Sequence, residues 1–247
     1  MAGRPEPLLC ELHAHTTWSD GSLSLRQLAD LYGRGGFDVL AVTDHAVRAD
    51  DPWFSAATSG ARHVDAGNHT AYLEEIDAEA DRARELYGLL VIPGLELTYN
   101  DADPALAAHA VAIGLRSFVP VDAGIEPALA ATRAAGAALV AAHPYPLELA
   151  GLSARVTALW AEEPEWAASV VDRFELFNRH ELYPWVADAR LPVVASGDFH
   201  RLPHFATWKT LIPAAKSTEA VVEYLRSGGA TALTRLDREP DAALIAA

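Results

Sequence analysis

Runs of aliphatic and β-branched residues alternate along the chain with stretches whose apolar positions recur every three or four residues. This pattern predicts strands joined by crossover helices around a parallel sheet. The strand-like runs are Leu8 to Ala14, Val39 to Thr43, Leu89 to Leu97, Ala110 to Leu115, Ala137 to Ala142, Arg173 to Phe177 and Leu191 to Ala195, with Ala230 to Thr234 as a closing or edge strand. Ser24-Leu-Arg-Gln27 reads as a capping box that starts a helix through about Gly33, and Gly35-Gly36 stops it. A longer helix is predicted over Thr70 to Tyr87, with Leu73, Ile76, Ala80 and Ala83 on one side, a solvated acidic face on the other, and Gly88 at its end. Shorter helices are expected near Ile125 to Ala135, Arg155 to Ala168, Glu181 to Ala189 and Thr218 to Ser227. No internal repeat or low-complexity linker interrupts the pattern. Its least regular part is Ala46 to His69, a connection of the kind that covers active sites. At 247 residues the chain is close to the roughly 250 of one α/β barrel, so a single domain over 1–247 is expected.

The runs do not end in ordinary turn residues. His13-Ala-His15 follows the first, and Asp198-Phe-His200 follows the seventh; at i and i+2 on a strand both side chains of a pair share one face. Asp20, His45, Glu96 and His143 also stand at or just beyond the C-terminal ends of runs, where a barrel gathers its reactive groups. His109 departs from that rule by standing at the start of its run, and is kept as a candidate ligand. Two buried imidazoles at i and i+2 would cost desolvation that a purely structural role does not repay. Glu96 on an apolar strand must likewise be paired or metal-bound if buried. The economical reading is one multinuclear metal site shared by several strands. Single histidines elsewhere (His63, His69, His180, His204) read as core or surface residues. Glu11 either orients a ligand or forms a plain salt bridge. Glu175 and Asn178 either do similar work at the rim or are ordinary polar strand ends, and the tryptophans read as packing.

Charge and composition narrow the partners. With 34 acidic against 19 basic residues, the net charge of −15 opposes binding to an extended nucleic-acid backbone. A small phosphorylated substrate is compatible with it, because charges beyond about 8 Å are largely screened and local cations set the sign in a pocket. No apolar stretch reaches the roughly 18 residues of a membrane span, and MAGRPEPLLC carries no signal-type apolar core. With one cysteine, Cys10, a soluble cytoplasmic protein is expected. Oligomeric state is not encoded in the pattern.

The strings ELHAHTTWSDG, AVTDHAV, PGLELT, HAVAIGL, AAHPY and SGDFHR resemble, in order, the successive motifs of the PHP (polymerase and histidinol phosphatase) family from Glu11 to Arg201. The resemblance implies a distorted seven-stranded (βα)7 TIM-like barrel with two to three divalent metals. One would be held by His13, His15, Glu96 and Asp198; Glu96 would bridge to a second held by His109 and His143; a third would take Asp20, His45 and His200. Mixed imidazole and carboxylate ligation suits Zn²⁺, Mn²⁺ or Fe²⁺. Metals about 3.5–4 Å apart can share a hydroxide, formed near neutral pH because coordination lowers the pKa of water to about 7. Phosphoester hydrolysis by that hydroxide is the expected chemistry, with a small metabolite or nucleotide as substrate. Glu96 and Asp198 would serve it through the metals. The leaving oxygen needs a proton, for which the rim imidazoles His69 and His180 are the candidates. Arg48, Arg179 and Arg201 follow predicted strand ends and, with Lys209, are expected to bind the phosphate. Two other readings fit fewer residues. An amidohydrolase barrel also begins with His-x-His, but many dinuclear members use a mid-chain bridging lysine, whereas Lys209 and Lys216 both follow the last ligand. A non-catalytic PHP module would be expected to have lost ligands, and none of the nine is missing.

Overall fold

The computed structural model describes residues 6–51, 62–149 and 157–237. One mixed sheet organises them. Its strands are β1 (Leu8–Glu11), β2 (Val39–Val42), β3 (His45–Val47), β4 (Leu90–Tyr99), β5 (Ala108–Ile113), β6 (Ala138–Ala141), β7 (Arg173–Asn178), β8 (Glu181–Leu182), β9 (Val193–Ser196), β10 (Trp208–Ile212) and β11 (Ala232–Arg235). The order is β11-β10-β1-β2-β4-β5-β6-β7-β8, with β3 also on β4 and β9 also on β7. The sheet curls: beyond β9, Phe199 pairs in parallel with Ala14, and its N–H donates to the His13 carbonyl at 3.0 Å while its carbonyl accepts from His15 N–H at 2.8 Å.

The expected succession of parallel βα units is corrected in direction. β1, β2 and β4 run parallel, as do β6, β7 and β9, but β5 is antiparallel to both β4 and β6, and β10 is antiparallel to β1. The short link from Tyr99 to Ala108 has no room for the crossover that a parallel strand would need.

Alternation along the strands separates two apolar layers. Val39, Ala41, Ile92, Val111, Val140 and Val194 pack with one another and with Val221 and Leu225 of α7 (Thr218–Arg226). Leu40, Val42, Leu95, Leu97 and Ala110 pack outward against the helices. Burial on both faces accounts for the unbroken apolar runs. Cys10 lies in the inner layer and burial raises its thiol pKa well above the usual value.

Helix α1 (Leu25–Arg34) begins with the expected capping box, both reciprocal bonds being present. Helix α2 (His69–Tyr87) ends at Gly88, which takes φ +65°, a left-handed conformation that glycine adopts without a Cβ penalty. Its acidic face is not simply solvated: Glu79 is buried between Arg26 and Arg82, Glu75 accepts from Trp18 Nε1 at 2.7 Å, and Asp77 pairs with Arg116. Helix α3 (Ile125–Ala134) is as expected. The expected helix over 155–168 is two shorter ones, α4 (Leu159–Glu162) and α5 (Pro164–Val170), and Arg155 lies outside the described residues. Helix α6 (Pro184–Asp188) starts at Pro184 rather than Glu181, because proline suits the first helical turn and Glu181–Leu182 is taken up by a hairpin with β7. Among the described residues no helix is long and apolar enough to cross a membrane.

Candidate metal centre

The sheet directions explain how nine separated side chains meet. β1, β2, β6 and β9 deliver His13 and His15, His45, His143, and Asp198 and His200 from their C-terminal ends, while Glu96 lies on the long β4. β5 runs the other way, so its beginning reaches the same edge; that is why His109, at the start of its run, faces Glu96. Potential ligand atoms converge in three overlapping groups: His13, His15 and Glu96; Glu96, His109 and His143; and His15, Asp20, His45 and His200. Asp198 adjoins the first group.

The spacings fit shared cations better than direct bonds. Nε2 of His13 lies 3.5 Å from Glu96 Oε2 and 3.6 Å from Asp198 Oδ1; Nε2 of His15 lies 3.4 and 3.5 Å from the same two atoms. Ligands about 2.1 Å from a tetrahedral ion stand about 3.4 Å apart, so these four separations match the edges of one coordination polyhedron. In the second group His109 Nδ1 and His143 Nε2 are each hydrogen-bonded to Glu96 Oε1 at 3.1 Å, and in the third His45 Nε2 lies 3.4 Å from Asp20 Oδ1. Glu96 thus turns one oxygen to each of two groups. Among the described residues, the buried Nε2 atoms of His13, His15 and His200 and Oε2 of Glu96 have no hydrogen bond of proper geometry. Four orphaned polar atoms in one place would be costly unless a ligand completes them. The donor set therefore fits divalent cations.

The opposite side of each ring is fastened. Glu175 Oε1 holds His13 Nδ1 at 3.0 Å and accepts from Ser196 Oγ, while Oε2 accepts from the His143 N–H and Asn178 Nδ2. Thr98 Oγ1 meets His45 Nδ1 at 2.7 Å, Thr157 Oγ1 meets His143 Nδ1 at 3.2 Å, and Ser19, itself bonded to Asp44, meets His15 Nδ1 at 3.3 Å. Such outer partners fix which nitrogen faces the metal. Glu175 thus takes the ligand-orienting alternative, and Asp44, in the loop after β2, supports His15 through Ser19. Three of the four described non-glycine residues at positive φ, His143, Arg179 and Asp198, belong to this region, as expected where backbone strain serves a site.

Electrostatics divide the imidazoles. Burial opposes charge on His45 and His200, but Glu96 and Asp20 push His45 up to about 10, and Asp198 with Asp20 pushes His200 up to about 9. Burial wins at His15, which together with His200 and His45 brings it down to about 3, and at His109, brought down to about 4 against the pull of Glu96. Burial also works against ionised Glu96 and Asp198, yet the neighbouring imidazoles hold both carboxyls well below the usual range. Protons thus occupy positions that a cation would contest.

No family model matches the chain. Over 93 residues it is 28% identical to the DNA polymerase/3'-5' exonuclease PolX of Bacillus subtilis (strain 168), a match covering 37% of this chain and 15% of that protein. A two-domain protein from Bacteroides vulgatus ATCC 8482, containing a predicted PHP-like metal-dependent phosphoesterase, superposes with a TM-score of 0.66 at 21% identity, over 93% of this chain and 65% of the other. A candidate metal-dependent phosphoesterase from Bifidobacterium adolescentis ATCC 15703 gives 0.50 at 18% identity, over 78% and 87%. The fold is PHP-like. This chain spans less than two thirds of the first structure and a small part of PolX, so the likeness concerns the PHP-like unit alone.

Within the PHP-like fold a cavity of ≈ 220 Å³ opens over the ligand groups, lined by His45, Glu96, His109, His143, Tyr145, Asn178, Arg179, Glu181, Asp198 and His200. Of the expected phosphate binders only Arg179 lines it. Its Nη2 lies 2.8 Å from Asp198 Oδ2, and its Nε donates to the Asp198 carbonyl. The other expected binders lie elsewhere. Arg48 is turned to Asp50 and Asp101 over the Tyr99 ring, and Arg201 is exposed beside His204. Lys209 is fully buried on β10, 2.7 Å from Glu11 Oε2, because a strand there carries it inward. His180, expected as a proton donor, occupies the exposed tip of the β7–β8 turn and does not line the cavity. His69 is not among the lining residues either. Tyr145 and Glu181 carried no signal in the sequence.

Proposed function

We propose that this chain is a metal-dependent phosphoesterase that hydrolyses a small phosphorylated metabolite or nucleotide, with two to three divalent ions of the Zn²⁺, Mn²⁺ or Fe²⁺ class. The reading rests on the 3.4–3.6 Å separations of His13 and His15 from Glu96 and Asp198, which suit a cation better than hydrogen bonds. The residues present would hold one ion with His13, His15, Glu96 and Asp198, a second with Glu96, His109 and His143, and a third with Asp20, His45 and His200. Bound there, divalent ions supply acidified water as nucleophile and neutralise phosphate oxygens. Arg179, anchored on Asp198 through Nε and Nη2, would hold its remaining guanidinium charge towards a phosphoryl oxygen at the mouth. Glu175 keeps His13 oriented, and the buried floor formed by His13, His15 and Glu96 keeps bulk water out, which strengthens each electrostatic contact there. The cavity lies below the roughly 300–1,000 Å³ of drug-sized ligand sites, which favours a small substrate.

The test is an assay of metal-stripped and metal-reloaded protein against phosphomonoesters, cyclic and bisphosphorylated nucleotides, and an amide. Reloaded protein should hydrolyse at least one phosphoester and stripped protein none. Turnover of the amide alone, or of nothing, would overturn the reading.

A further inference from the structure

The cavity wall that carries Arg179 carries a second charged group, Glu181. β7 and β8 form a tight hairpin in which Asn178 pairs with Glu181, leaving Arg179 and His180 as the two-residue turn. Arg179 takes φ +54°, as hairpin turns of this length require. The turn sends Arg179 and Glu181 to the cavity and His180 to solvent.

Glu181 is exposed yet not loose. The Tyr145 hydroxyl donates to its Oε2, and the buried Tyr183 hydroxyl donates to the same oxygen at 3.2 Å. The two rings pack edge to face at 5.2 Å, and Trp185 Nε1 holds the Pro144 carbonyl beside Tyr145 at 2.8 Å. Among the described residues its other oxygen, Oε1, makes no hydrogen bond. A carboxylate fixed by two tyrosines at a cavity wall, with one oxygen uncommitted, can exchange water for a donor on a bound substrate. It stands two residues from Arg179, so their Cα atoms are at most about 7 Å apart. The Arg179 guanidinium and the Glu181 carboxylate therefore line one cavity of ≈ 220 Å³, with room for a small alcohol.

We propose that Glu181, positioned by Tyr145 and Tyr183, selects phosphoesters whose small alcohol portion carries a hydrogen-bond donor, a hydroxyl or an ammonium. The same carboxylate repels a second phosphate at that place. The proposal rests on the phosphoesterase reading.

The test compares kcat/KM of the metal-loaded full chain for glycerol 1-phosphate, ethanolamine phosphate, propyl phosphate and 1,3-propanediol bisphosphate. A hydrogen bond to a charged group corresponds to about tenfold or more. Glycerol 1-phosphate and ethanolamine phosphate are expected to exceed propyl phosphate by at least about tenfold, with the bisphosphate lowest. A greater advantage for ethanolamine phosphate than for glycerol 1-phosphate would identify the ammonium as the preferred donor, and the reverse order the hydroxyl. Glu181→Gln should reduce the ratio of donor-bearing substrate to propyl phosphate about tenfold, and Glu181→Lys should move preference towards the bisphosphate. Tyr145→Phe should lower the same ratio less. Substrate ratios are not moved by a merely structural role. Hydrolysis of all four with ratios indifferent to Glu181→Gln, or a wild-type preference for the bisphosphate, would overturn this proposal and leave the phosphoesterase reading standing. Turnover of no phosphoester would overturn both.

Discussion

Two buried glutamates, Glu11 and Glu96, are equally hidden from solvent and surrounded very differently. Glu11 accepts from the N–H groups of Leu12, His13 and Gly197, from the Tyr32 hydroxyl and from Lys209 Nζ. A Cβ on Gly197 would strike both Glu11 and Lys209, so only glycine lets that turn approach the pair. Glu96 is only half satisfied: its Oε1 is hydrogen-bonded to His109 and His143 at 3.1 Å each, while its Oε2, 2.7–3.5 Å from His45, His15 and His13, has no donor of proper geometry. A fully satisfied carboxylate beside a lysine ties the ends of β1 and β9 together; one with an oxygen left unsatisfied among imidazoles is poised for a cation. The difference is one of completed lone pairs, not of burial or residue type.

That contrast can be broken from either side. The largest effect is expected from Glu96→Ala, which should abolish activity and lower bound metal by more than one equivalent, since Glu96 faces two ligand groups. Unchanged metal content by elemental analysis would contradict the bridging role. Asp198→Asn should keep the fold, read by circular dichroism, and lose most turnover, on the order of 10²-fold or more, a loss typical of one electrostatic contact at a reacting centre. Normal activity would remove Asp198 from the metal shell. Glu11→Ala should act through stability: it strands the Lys209 ammonium in the core at about 3–5 kcal/mol, measurable by urea denaturation of the metal-free chain. Glu11→Ala with Lys209→Met should recover much of that loss; failure to do so would show that the pair is not the origin.

Proton competition provides the subtler test. With His45 near 10 and His200 near 9, both imidazoles carry protons at pH 8 before a cation arrives. Binding beside Asp20 must expel them, so affinity there should rise with pH, by up to about a hundredfold per unit below 9 for two protons. Calorimetry in buffers of different ionisation enthalpy should register about two protons released. No release would show that the ion avoids these rings.

Much of this centre was legible because imidazoles and carboxylates at the ends of apolar strands are costly to keep without a ligand. His13, His15, Glu96, Asp198 and His200 were identifiable on that ground. Strand direction was not legible, since the alternation of residues along β5 is the same in either orientation; His109 therefore looked misplaced until the antiparallel pairing put it at the site. β10 was hidden because Lys209 breaks its apolar run, and the charge is tolerated only through Glu11, nearly the whole chain away in sequence. Of the two readings open for Glu11, the salt bridge is the one formed, because β1 ends there and Lys209 reaches it from β10. Arg48 and Arg201 followed strand ends as Arg179 did, but only Arg179 sits in a turn that points it inward.

The most direct measurement is anomalous X-ray diffraction from crystals grown with Mn²⁺ or Zn²⁺, recorded on either side of the metal edge. Two strong peaks sharing Glu96 are predicted, one among His13, His15, Glu96 and Asp198 and one among Glu96, His109 and His143, with a third beside Asp20, His45 and His200 at higher pH. No anomalous signal at these groups, with Glu96 instead hydrogen-bonded through both oxygens, would contradict the account.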